Sequence, residues 1–199
     1  MNNPVIESIK IRRSQYKIGK KLPLPRQEVE ELIKDAVKYA PSPFNSQTSR
    51  AVILFGSENA KLWNIIKEAL RKIVPADSFA MTEEKISNFA AGVGTVLFYE
   101  DTEIIEGLQK QFPLYADNFP VWSEQSSGMA QFAVWTTLAN ANIGASLQHY
   151  NPIIDADIVQ AWAVPAHWKL RAQMPFGSNE AEFSEKSFID NDIRFKIYG

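Results

Sequence analysis

Arg12, Arg13 and Ser14 stand together where a short amphipathic stretch ends, and two guanidinium groups beside a hydroxyl are the donors that a phosphate needs. The same triplet also suits a solvated helix surface, so by itself it leaves both readings open. A second candidate is the segment 40–47, Ala-Pro-Ser-Pro-Phe-Asn-Ser-Gln, in which turn formers mix with amides and hydroxyls just ahead of a strand at 51–55. An ordinary turn and a functional loop fit it equally. A third is Gln148, His149 and Tyr150, polar and aromatic groups that close a short strand read over 145–151, where a ligand can be held.

Other chemistry is excluded by composition. With no cysteine there is no disulfide and no thiolate. His149 and His167 are the only histidines, too few for a histidine-rich metal site. Gly92-Val93-Gly94 precedes a strand instead of joining strand to helix, so a dinucleotide-binding turn fails on context. A net charge of -2 lacks the basic excess of a nucleic-acid binder. Absence of cysteine and of a basic-then-apolar leader at Met1 leads us to expect a cytoplasmic protein.

The elements that must position these residues follow from periodicity. Helices are expected at 5–13, 25–39, 57–74 (capped by Ser57), 82–91, 101–111 and 155–162, and strands at 51–55, 92–99 and 167–174. Residues 113–120 read as a connection. From Gln125 to Ile154, thirty residues pass without an Asp, Glu, Lys or Arg. A helix over 126–142, apolar around its whole circumference and ended by Gly144, is expected there, as a core or interface element. Its Gln, Ser, Thr and Asn residues argue against a membrane span. Residues 193–198 alternate like a strand with no hairpin partner in sequence, so they need a sheet edge in this subunit or another. Together these make a single α+β domain over 1–199, a small mixed sheet of four or five strands wrapped by helices.

The order Arg12-Arg13-Ser14, then Pro41 to Gln47, then an uncharged helix running into Gly144 to Tyr150, resembles the nitroreductase family of FMN-dependent oxidoreductases, especially its short subgroup similar to fungal fatty-acid-repression proteins. The resemblance covers essentially the whole chain. It implies a homodimer with the C-terminal strand exchanged, FMN at the interface, NADPH or NADH as reductant, and small aromatic acceptors such as nitroaromatics or quinones. It places Arg12, Arg13, Ser14 and Lys186 at the phosphate and ribityl chain, and Asn45 and Gln47 at the ring. Ser42 and Pro43 would line the site from the facing subunit, Gln148, His149 and Tyr150 would lie along the ring system, and Pro175, Phe176 and Gly177 beside its pyrimidine edge. Tyr16 departs from the basic residue many relatives carry. No catalytic nucleophile, general base or metal is implied. A flavin-binding redox sensor with little turnover, and a cofactor-free interaction protein, are the other classes left open.

Overall fold

A computed structural model of the chain describes residues 3–199. Its centre is β3 (Gly94–Asp101), buried along its whole length, as its unbroken apolar run demands. On one side β3 pairs with β2 (Ser49–Phe55), and on the other with β5 (Trp168–Asn179). The short strands β1 (Ile18–Gly19) and β4 (Gly144–Ala145) both pair with the C-terminal end of β5. Every ladder is antiparallel, which corrects the expected mixed sheet; the five strands are as expected, and the parallel element is a lone bridge between Ser14 and Ala145.

Helices cover both faces of the sheet. Leu54, Leu97, Tyr99 and Leu170 face α3 (Gly56–Arg71), α4 (Phe79–Ala90) and α7 (Asp155–Trp162), where Leu62, Trp63, Ile66, Phe89 and Ile158 complete one core. Val96, Phe98, Ala172 and Met174 face α2 (Arg26–Lys38) and α6 (Asn118–Asn140), meeting Val29, Ile33, Val134 and Leu138. This alternation along β3 is the period of two of a strand with helices on either side. α1 (Pro4–Ile11), capped by Asn3, packs on α6, and α5 (Thr102–Gln111) starts from Asp101, whose carboxylate accepts from Ile104 N–H at 3.3 Å.

Four expectations change. α3 starts at Gly56 with no side-chain cap, so Ser57 is not its cap. The connection 113–120 is a 3-10 turn followed by the first turn of α6, which tolerates Pro120 because amide hydrogens there have no helical acceptor. α6 ends at Asn140, and Asn142 (φ 56), not Gly144, takes the left-handed conformation after it. The tail forms a short helix, α8 (Asn191–Arg194), where a strand was expected, and residues 195–199 join no strand among the described residues. α6 buries one stripe within the chain, Ser123, Ser127, Ala130, Val134 and Leu138, and leaves Met129 and Phe132 about two-fifths exposed at 39% and 42%. No described helix is long and apolar enough to cross a membrane.

Candidate active site

α1 stops at Ile11 because Arg12 turns extended (φ -67, ψ 110), and Ser14 then runs beside Ala145, with Gln15 N–H donating to the Ala145 carbonyl at 2.8 Å. Both arginines are held half-buried. The Arg12 guanidinium lies 4.3 Å from the centroid of Trp135, whose Nε1 donates to the same Ala145 carbonyl. Arg13 donates to the Ser184 carbonyl and lies over Phe183 at 5.7 Å. Burial, and then the like charge of Arg13, pull the Arg12 guanidinium below its ordinary value. Among the described residues no carboxylate pairs with either arginine. Two adjacent, partly dehydrated cations without a counter-ion are destabilising until an anion joins them.

The strand junction beside them carries the next group. Ser146 N–H reaches the Pro175 carbonyl at 3.4 Å, and buried Gln148 pairs with Gln173 in a two-way backbone bridge. The Gln148 side chain donates to Ser146 Oγ at 3.1 Å, while His149 is exposed. Tyr150 N–H donates to Gln173 Oε1 at 2.7 Å, its ring meets Trp63 edge-on at 6.0 Å, and burial pushes its hydroxyl up to about 12. Pro175, Phe176 and Gly177 belong to β5. The Phe176 side chain is wholly buried in the core, edge-on to Phe55, so what it can offer a ligand is its backbone. Gly177 is required for packing: a Cβ there would sit 2.1 Å from the Gly19 carbonyl oxygen. Lys186 is exposed, with its ammonium 5.1 Å from the Phe188 ring centroid, two residues beyond the carbonyl that Arg13 holds.

The loop 42–47 is strained. Phe44 (φ 57), Asn45 (φ 50) and Gln47 (φ 49) all occupy the left-handed region, unusual for Phe and Gln. Ser42 closes the loop, its carbonyl accepting from Asn45 N–H and its Oγ from Gln47 N–H. Phe44 is half exposed yet sits among rings, 4.9 Å from Phe112 and 5.5 Å from Phe119. Phe119 is buried, whereas Tyr115 stays partly exposed beside Trp122.

One chain does not bring these groups together. The loop leads into Ser49, opposite Glu100, whereas the arginines and β4 adjoin Phe176, opposite Gly94. The six steps from Gly94 to Glu100 span about 20 Å of strand. Ser42, Pro43, Asn45 and Gln47 thus form one group, and the residues around Arg12 another. A cavity of about 880 Å³ lies along the unpaired edge of β2 under α2, bordered by Arg26, Lys34, Lys38, Arg50, Ser42 and Gln47. Trp135 and Gln173 were missed from sequence; a Trp in a helix of small residues and a Gln interrupting an apolar strand are the signals that mark them.

The profile described as the nitroreductase family matches residues 9–178. The chain is 32% identical over 190 residues to nitroreductase FRM2 of Saccharomyces cerevisiae, covering 94% of each. Nitroreductase CinD from Lactococcus lactis, solved in complex with chloramphenicol, superposes with a TM-score of 0.91 at 45% identity, over 98% of this chain and all of that one. A nitroreductase with bound FMN from Desulfitobacterium hafniense shares the fold at a TM-score of 0.73 and 13% identity, over the full length of both. With the family profile spanning most of the chain and the fold shared throughout, this protein belongs to the nitroreductase family.

Proposed function

We propose that the chain works as a homodimeric FMN-dependent oxidoreductase, with the arginine cluster of one copy facing the loop 42–47 of the other. The observation that carries this reading is the Arg12-Arg13 pair, half-buried and, among the described residues, without a carboxylate partner. That donor set fits a phosphate monoester: two forked guanidinium groups, the Ser14 hydroxyl and, from the tail, Lys186. A ring bound beyond it would meet the backbone of Pro175, Phe176 and Gly177 and the Gln148, His149 and Tyr150 segment. Ser42, Pro43, Asn45 and Gln47 of the second copy would close the other side. When bound, the flavin supplies the redox chemistry, accepting hydride from NADPH or NADH and passing electrons to nitroaromatic or quinone acceptors. The side chains bind, orient and exclude water, and none acts as nucleophile or base.

A second copy is supported by what one chain leaves uncovered. Val5, Ile6 and Ile9 of α1 are exposed, and so are Met129 and Phe132 of α6, the helix on which α1 packs. Ile193, Phe195, Ile197 and Tyr198 of the tail are bare, and the open edge of β2 with its cavity is where such a segment adds to a sheet. CinD has also been solved with 4-nitrophenol, which agrees with the acceptor class. The test is the visible spectrum of the purified protein, with added FMN if colourless, before and after NADPH without oxygen. Uptake of yellow colour, bleaching by NADPH and its return with a quinone are expected. A protein that takes up no flavin, or stays oxidised, overturns the reading.

A further inference from the structure

We infer that Glu100 is a positioning residue, clamping the strained loop 42–47 to α6; the reading above enters only in saying what the loop is positioned for. Glu100 is fully buried, yet among the described residues no basic group pairs with it. Its carboxylate instead accepts from three hydroxyls, Thr48 Oγ1 and Ser49 Oγ at 2.5 Å and Ser123 Oγ at 2.7 Å. A buried carboxylate is a demanding way to fill space, and an apolar side chain would pack a merely structural position with less desolvation. What the carboxylate alone provides is several acceptor sites at one point. Its donors come from two places, the two residues that follow Gln47 and one on α6. The neighbouring residue repeats the tie: Asp101 N–H donates to the Thr48 carbonyl, and Arg50 spans from the Asp101 carboxylate to the Gln47 carbonyl. Between loop and α6 the void is only about 10 Å³, so on that side the loop is close-packed. Three consecutive-region residues with positive φ hold only if the surrounding structure over-determines them, and Glu100 is the centre of that constraint.

The test uses Glu100→Gln and Ser123→Ala in the full chain, with Ile66→Val, on the opposite face of the sheet, as a stability control. The amide keeps the shape but turns an N–H₂ toward hydroxyls that donate to the carboxylate, so at least one of these bonds must reverse or break. Two readouts apply: the rate of chymotryptic cleavage after Phe44 under native conditions, located by mass spectrometry, and the FMN dissociation constant from flavin fluorescence. Glu100→Gln is expected to raise cleavage at Phe44 by about 5-fold or more and to weaken FMN by about 10-fold. Ser123→Ala should move both in the same direction by less, and the double variant should equal Glu100→Gln, because both act through one carboxylate. Changes that merely track the fall in Tm, as in Ile66→Val, or no change at all, overturn the inference. If Glu100→Gln does not fold, unchanged cleavage in Ser123→Ala overturns it and faster cleavage upholds it. Should the wild type take up no FMN, the proposed function falls while the cleavage rates still decide the role of Glu100.

Discussion

Replacing Arg12 by Ala separates affinity from stability, because the two are expected to move in opposite directions. In the protein without ligand, Arg12 lies 4.3 Å from Trp135 and beside Arg13, and among the described residues no carboxylate pairs with it. Removing it forfeits a cation-ring contact of about 0.5–1 kcal/mol. Relief of the repulsion with Arg13 and of partial burial offsets that loss, so Tm should stay within about 2 °C of wild type. On the proposed reading the lost group is a charge-assisted donor to the FMN phosphate, of about 1.5–3 kcal/mol, which is roughly 10- to 150-fold in Kd. Arg12→Lys should fall between, keeping the charge and losing the planar fork. The assay is fluorescence titration of apoprotein with FMN at two ionic strengths, paired with thermal unfolding without ligand. The wild-type affinity should weaken with salt more steeply than that of Arg12→Ala. A Kd within about 3-fold of wild type, or a loss of affinity only as large as a loss of Tm, refutes the assignment of Arg12 to the phosphate.

Gly177→Ala must push β1 from β5, since its Cβ meets the Gly19 oxygen at 2.1 Å, and urea unfolding should show about 1–3 kcal/mol lost. Deleting residues 186–199, all exposed, should leave Tm of the monomer core nearly unchanged while light scattering shows dissociation and the flavin is released. Tyr150 is raised by burial to about 12, so its contribution is complete below the ordinary value near 10 and is lost as pH rises through 12. Urea midpoints of Tyr150→Phe should therefore fall less steeply than wild type between pH 10 and 12. Asn59→Ala breaks a buried chain in which Trp63 donates to Thr95, Thr95 to Asn59 and Asn59 to the Gly92 carbonyl; about 1–3 kcal/mol should be lost, read by denaturant unfolding.

Periodicity carried the layers: α7 runs from Asp155 to Trp162 as its apolar spacing requires, and the unbroken apolar run ending near Tyr99 is the central strand. It failed where side chains replace ladder bonds. Residues 146–150 look like strand, but after Ala145 the segment is held by Gln148 and the side chain of Gln173, with a single bridge in place of a ladder. Asn142 took the turn assigned to Gly144 because Gly144 is committed to pairing with Gly177, where a Cβ would meet Asn179. Among the candidate residues, Ser14 lies beside Ala145, three residues ahead of Gln148. The placement of Phe176 in the core, and the 20 Å that sets Ser42 to Gln47 apart from the arginines, depend on register, which no local pattern reveals. Glu100 was legible only as a carboxylate ending a hydrophobic strand.

The position of β5 in the sheet has a consequence for biosynthesis. β3 must wait for a pairing partner some seventy residues downstream, and β1 for one still more remote, so most of the ladder is non-local and slow to close. A nascent chain emerging from the ribosome cannot complete its centre until residue 179 is out, and until then β3 presents a bare hydrophobic edge. A stop codon before that point yields an unfinished sheet, prone to aggregate, in place of a smaller domain.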